Sequence, residues 1–262
     1  MAYREAHTNK VQSVRWNRVN EQVLLTGGYD GVVNVMDVRT SANNLSTNLP
    51  NNVYKDIESA QWHPSSEFNF IVTTESGHMV GFDTRRLDNP VFNVQAHKKA
   101  CSSAAFSPHI PNMLVSVGTD KLCKIWDITA NASADGSTYQ PLCVQQKDMK
   151  QGDLFSVQMY ADIPWVLAAG GQKGEVAIWD TEEDAKIRQQ FKAQMPEKAK
   201  TMKYKADKGY EATDEAMVED EGDSSGFEDV DSDEESETGE EQAKEVITAK
   251  ENKAKTAKKS KK

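Results

Sequence analysis

Cysteine is scarce in this 262-residue chain, and its three cysteines form no CxxC pair. Cys101, Cys123 and Cys143 also have no histidine at metal-ligand spacing, so they read as reduced thiols of an intracellular protein rather than a disulfide framework or a metal site. No stretch approaches the roughly 18 apolar residues that a bilayer-spanning helix needs. The N-terminal MAYREAHTNK has no apolar core of a secretory signal. A soluble, non-secreted chain with no membrane partner is expected. An excess of positive charge is missing too: the formal net charge of −10 excludes a protein that coats nucleic acid along its whole length.

What is present is a repeat. Four stretches superimpose without a gap for more than twenty residues, each ending in an aspartate: Asp37, Asp83, Asp127 and Asp180. The residue before each is bulky and apolar (Met36, Phe82, Trp126, Trp179), and 21 places earlier stand Trp16, Trp62, Phe106 and Met159. Seven places before each aspartate are Asp30, Ser76, Asp120 and Lys173, followed by glycine in three of the four blocks. The blocks recur every 44 to 53 residues, the period of a four-stranded propeller blade.

Alternation inside the third block outlines the strands. Ser103 to Phe106 leads into a Ser107-Pro108 turn, Met113 to Val117 forms the second strand, and Leu122 to Asp127 follows a tight turn as the third. Val91 to Val94 and Ile187 to Phe191 alternate like outer strands, and Thr129 to Pro141 reads as a loop. Apolar residues on both faces of the inner strands suit sheets packed between two neighbours.

His97, Ser116, Asp120 and Trp126-Asp127 resemble the GH…S…D…WD signature of WD-repeat proteins. The resemblance implies a buried hydrogen-bonded tetrad of His97, Ser116, Asp120 and Trp126 within one blade. The first block keeps His7, Thr26 and Asp30 but has Met36 in place of tryptophan. The fourth keeps Trp179 but has Lys150, Ala169 and Lys173 elsewhere, and the second keeps none of the four. One complete tetrad is therefore expected. HTNKVQSVRWN, LLTGGYDGVVNVMDVR, KDMKQG and Gly170 to Lys173 followed by Trp179-Asp180 are similar to the C-terminal half of the periodic tryptophan protein 1 family, over residues 7 to about 192. That resemblance implies an all-β, partial WD-repeat β-propeller, about four blades of a seven-bladed ring, over residues 1–192. Residues 1–6 would be the outer strand of a further blade, and two open ends imply a need for a partner. It also implies a non-enzymatic scaffold, without cofactor, metal or small-molecule ligand, in large-subunit assembly and rRNA processing in the nucleolus. Pre-ribosomal particle proteins, and rRNA itself, would be its partners.

Other readings of the same residues are weaker. His97, Ser116 and Asp120 could be a catalytic triad, but the serine is mid-strand and no oxyanion-hole glycine adjoins it. Gly27-Gly28 and Gly170-Gly171 follow strands into turns and open no helix, so they are not phosphate loops. His63, His78 and His109 are expected to face solvent or bond locally. Asp37-x-Arg39 and Asp83-x-Arg85 resemble the WDxR segments by which some WD-repeat proteins dock to cullin-type ubiquitin ligases, which gives an alternative function as substrate receptor. The plainer reading pairs each arginine with a carboxylate of a neighbouring blade.

Beyond Phe191 the composition changes. Residues 193–210 form a basic linker, with a short helix expected after Pro196. Residues 211–241 hold sixteen acidic residues and no lysine or arginine, and lysine dominates residues 242–262. Such blocks bury too little apolar surface to order themselves and are expected to be disordered. The acidic block would engage basic ribosomal proteins or histones. Ser225, Ser232 and Thr238, each with a glutamate three places on, fit phosphorylation by acidophilic kinases. Lys258, Lys259, Lys261 and Lys262 read as a nuclear and nucleolar address.

Overall fold

Each of the four repeat aspartates lies on the third strand of its own antiparallel sheet, closing it in three and standing within a longer strand at Asp127. The structure is a computed structural model that describes residues 6–39, 45–49, 56–134, 136 and 138–195. The chain divides into two units, Met1–Asp207 and Lys208–Lys262, and every described residue lies in the first. The linker helix after Pro196, the acidic and lysine-rich blocks, the three phosphorylation candidates and the terminal lysines lie outside the described residues.

The first sheet is β1 (Val11–Trp16), β2 (Val23–Gly28), β3 (Val32–Asp37) and β4 (Leu45–Asn48), in that order. The second is β5 (Ile57–Trp62), β6 (Asn69–Thr74), β7 (His78–Asp83) and β8 (Phe92–Gln95). The third is β9 (Cys101–Phe106), β10 (Met113–Gly118), β11 (Leu122–Ala132) and β12 (Tyr139–Asp148), and the fourth is β13 (Leu154–Met159), β14 (Val166–Gly171) and β15 (Val176–Asp180). This is an all-β architecture of WD-type blades. The innermost strands β1, β5, β9 and β13 pack in series. Every residue of β10 is buried, because its sheet is covered on both faces, which is why it reads as an apolar run broken by Ser116 alone before Gly118.

Three apolar layers hold the series together. Leu25, Val33 and Val35 meet Ile57, Trp62 and Phe70 between the first and second sheets. Ile71 and Met79 meet Leu114 and Trp126 between the second and third. Val115 and Ile125 meet Leu154, Leu167 and Trp179 between the third and fourth.

The register seen in the sequence has a backbone cause. In every block the aspartate Oδ1 accepts the N–H two residues on: Arg39 at 3.0 Å, Arg85 at 2.9 Å, Thr129 at 3.0 Å and Glu182 at 2.9 Å. Short carboxylates form such Asx turns well, and a longer side chain would overshoot. The turn before each third strand puts one residue in the left-handed region: Gly31 (φ 72°), Gly77 (φ 86°), Lys121 (φ 73°) and Gly174 (φ 75°). Lys121 is the block lacking glycine there, and it takes the strained conformation nonetheless.

Two expectations are corrected. Ile187 to Phe191 is not an outer strand but part of helix α1 (Ala185–Phe191). Asp184 caps it, accepting from the Lys186 and Ile187 amides, and Ile187 and Phe191, one turn apart, are fully buried. The apolar positions 187 and 191 satisfy a helical period as well as an alternating one, and the cap decides between them. Nor is Thr129 to Pro141 simply a loop: β11 and β12 run on as a hairpin, pairing Asn131 with Gln140 and Ala132 with Tyr139. Among the described residues no helix is long and apolar enough to cross a membrane.

Candidate functional site

The third sheet brings His97, Ser116, Asp120 and Trp126 into one hydrogen-bonded chain. The Trp126 indole N–H donates to Ser116 Oγ at 2.9 Å, and Ser116 Oγ lies 2.7 Å from His97 Nε2. His97 Nδ1 faces Asp120 Oδ1 at 2.8 Å. One tautomer satisfies every group: His97 Nδ1–H donates to the carboxylate, and the serine hydroxyl donates to Nε2. Burial pushes the His97 imidazole below the ordinary histidine range, and its bond to Asp120 offsets this only in part. Burial would raise Asp120, but the hydrogen bond from His97 and the amides of Lys98 and Leu122 outweigh it and lower its carboxyl. The serine is fully buried and already receives the indole proton. Its geometry is that of a structural lock, with no route for a substrate carbonyl.

The first sheet holds three corners of the same arrangement. His7 Nδ1 lies 3.0 Å from Asp30 Oδ1, and His7 Nε2 lies 2.8 Å from Thr26 Oγ1. Met36 is buried in the tryptophan position and offers no N–H, while Asn34 Nδ2 reaches His7 Nε2 at 3.2 Å and donates to the Ala6 carbonyl at 2.6 Å. In the fourth sheet Trp179 lies across from Leu167, and Lys147 stands over its ring at 4.8 Å. Lys150 takes φ 63° and folds onto Asp148.

The two Asp-x-Arg segments close on themselves. Arg39 Nε and Nη2 donate to Asp37 Oδ1 and Oδ2 at 2.9 and 2.6 Å, and Arg85 makes the same pair with Asp83 at 2.9 and 2.6 Å. The expected partner in a neighbouring blade is thus replaced by the aspartate two residues back. A planar guanidinium can grip both oxygens of the carboxylate that already caps its own amide. Arg39 draws the half-buried Asp37 carboxyl down to about 2. Arg85 also lies over the Phe68 ring at 4.6 Å.

His63 bonds locally, its Nδ1 accepting from the Ser65 amide at 3.3 Å, but it and His109 also reach further. His63 Nε2 donates to the Pro111 carbonyl at 3.0 Å and His109 Nε2 to the Ala161 carbonyl at 2.7 Å, each crossing into the next sheet. The sequence reading also missed a recurring bulge. The inner strand slips by one residue at Gln12, Glu58, Ser102 and Phe155, each 25 places before its aspartate. At the second of these, burial and then the charges of Glu75 and Asp56 raise the Glu58 carboxyl.

Two hollows are open to partners. Arg15, Arg18, Gln61 and Gln158 surround one of about 110 Å³ where the four inner strands converge. Phe70, Phe82, Phe92, Phe106 and Tyr139 line one of about 210 Å³ between the second and third sheets. Among the described residues no group of three or more His, Cys, Asp or Glu side chains could hold a metal. The three cysteines are unpaired, and burial pushes the Cys123 thiol up to about 12.

The model of the WD domain, G-beta repeat, matches residues 2–37 and 88–127, the two blocks whose histidine, hydroxyl and aspartate meet. The periodic tryptophan protein 1 homolog of Drosophila melanogaster is 28% identical over 187 residues, 71% of this chain and 39% of the relative. Periodic tryptophan protein 1 of Saccharomyces cerevisiae is 29% identical over 197 residues, 72% of this chain and 33% of the relative. An uncharacterized WD repeat-containing protein of Schizosaccharomyces pombe is 31% identical over 147 residues, 55% of this chain and 27% of the relative. The chain therefore spans between a quarter and two fifths of these relatives' lengths. This chain carries repeats that match the WD domain, G-beta repeat, and is similar over about seven tenths of its length to periodic tryptophan protein 1.

Proposed function

We propose that this chain is a non-enzymatic WD-repeat scaffold in ribosome biogenesis, acting in large-subunit assembly and rRNA processing in the nucleolus. The observation that carries this reading is the likeness to periodic tryptophan protein 1 over about seven tenths of the chain. The chemistry agrees with it. The Ser-His-Asp arrangement of the third sheet is buried and saturated with internal hydrogen bonds, as suits a structural role. The acidic residues 211–241 would shield lysine- and arginine-rich ribosomal proteins or histones until rRNA displaces them. Phosphorylation of Ser225, Ser232 or Thr238 would add about −1.5 to −2 charges each to that block. The terminal Lys258, Lys259, Lys261 and Lys262 would concentrate the chain where rRNA is abundant.

The test is pulse labelling of rRNA after rapid depletion of the protein. Delayed large-subunit precursor processing and fewer free large subunits are expected, with weakened nucleolar retention when residues 244–262 are deleted. Normal processing, with a cullin adaptor co-purifying and a ubiquitinated protein accumulating, would favour the ligase-receptor reading instead.

A further inference from the structure

The second block departs from the repeat at two positions that line one hollow. Fourteen places before the aspartate, Val23, Met113 and Val166 are apolar, but the second block has Asn69. Two places before it, Val35, Ile125 and Ile178 are β-branched, but the second block has Gly81. Both line the hollow of about 210 Å³ between the second and third sheets. Gly81 sits within β7, paired with Ile71 and Phe92, and serves no turn. It makes room: a Cβ there would lie 2.3 Å from the Phe92 ring, which fills that space instead.

The walls are ordered and aromatic. Phe70 stacks on Phe82 with centroids 5.4 Å apart, and His63 meets Phe106 edge-on at 5.1 Å. Tyr139 is tied across the two sheets by its N–H, which donates to the Val91 carbonyl at 2.9 Å. Ser66 Oγ donates to Asn69 Oδ1 at 3.0 Å, which sets the amide plane and leaves Nδ2 without a partner among the described residues. Asn69, Val91 and Tyr139 also line a neighbouring hollow of about 540 Å³ that holds Asp83, Arg85 and Arg86. Two arginines against one aspartate give it one positive charge. Arg85 engages Asp83 with only two of its five guanidinium N–H groups. Both hollows are walled by the second and third sheets and their loops alone.

We propose that these joined hollows take an unpaired adenine of single-stranded RNA, the base between the aromatic walls and its phosphate beside Arg85 and Arg86. Aromatic side chains stack on any base, and an asparagine amide matches the adenine edge. Asn69 Nδ2 donates to N7, and the second lone pair of Oδ1 accepts from the N6 amine. The inference rests on the ribosome-biogenesis reading and chooses between the partners named there. Arginines repel lysine- and arginine-rich ribosomal proteins, whereas RNA brings negative charge and bases that can be splayed out.

The experiment is fluorescence anisotropy of labelled single-stranded oligoadenylate and oligouridylate with the full 262-residue chain. Oligoadenylate should bind the more tightly. Asn69→Val installs the residue of the first and fourth blocks, so it should keep the melting temperature while weakening oligoadenylate about tenfold. Arg86→Gln, at an exposed position, should weaken both strands and lower the slope of log affinity against log salt by about 0.7. A strand carrying 8-azidoadenosine should couple to Phe92, Phe106 or Tyr139. Unchanged binding by Asn69→Val, coupling confined to residues 244–262, or an acidic phenylalanine-bearing peptide that binds where RNA does not, would overturn the adenine site. Delayed rRNA processing on depletion would still uphold the scaffold reading in that event, so the two failures are distinct.

Discussion

Trp126 and Ser116, two positions out of step on neighbouring strands, are joined by an indole N–H that reaches the serine oxygen at 2.9 Å. The serine hydroxyl is thereby left to donate to His97, and His97 to donate to Asp120. Each member fixes the rotamer of the next, so the chain ties β11 through β10 to the loop after β8 and to the turn at Asp120.

Removing the end of that chain leaves a buried imidazole N–H without an acceptor. Asp120→Ala should cost about 1–3 kcal/mol of stability. Trp126→Phe keeps the packing and loses one donor, for about 1 kcal/mol. Chemical denaturation midpoints measure both, and an unchanged midpoint for Asp120→Ala would remove the structural role assigned to these four residues.

The left-handed turns offer a contrast in sign. Lys121→Gly should stabilise the chain by about 0.5–1 kcal/mol, because relief of strain at φ 73° exceeds the entropy that glycine adds to the unfolded state. Gly77→Ala should do the reverse, since a Cβ there would lie 2.2 Å from the carbonyl oxygens of both His97 and Lys99. Thermal melts of the two variants should move in opposite directions.

Acid should begin to destabilise the fold in the histidine range. Burial holds His97, His63 and His78 below the ordinary histidine value of 6.5. The unfolded chain therefore binds more protons as pH falls through that value, and stability drops with it. Asp120, whose carboxyl is lowered, adds a second loss only below the ordinary aspartate value of 3.8. Denaturation midpoints at pH 7.5, 6.5 and 5.5 should decline steadily, and His97→Gln should flatten the slope.

Helix α1 is latched to the third sheet through Asp127. Its second oxygen accepts from Gln190 at 2.8 Å and Gln194 at 3.1 Å, while the first caps the turn at Thr129. Asp127→Ala should cost about 1–2 kcal/mol and speed hydrogen exchange across Ala185–Phe191. Exchange in β1 to β3, far along the series, should be unchanged.

The repeat register was legible because it is local chemistry. An Asx turn requires a short carboxylate at one place, a left-handed turn favours glycine at another, and both recur in each block whatever packs around them. The tetrad residues were legible for the same reason, their positions being locked to that register. What the sequence could not disclose lies between blocks or depends on context. His63 and His109 meet carbonyls 48 and 52 residues away, and nothing near either histidine marks its partner. The apolar spacing of Ile187 and Phe191 suits strand and helix alike, and only the cap at Asp184 and the depth of the neighbouring core select the helix. Arg39 and Arg85 turn back to their own aspartates because the turn already presents both carboxylate oxygens, a geometry set by the folded backbone. Composition and spacing determined which residues could form a blade. Packing alone decided which carbonyl, which face and which strand extension each would meet, because those partners are brought together only when one sheet stacks on the next.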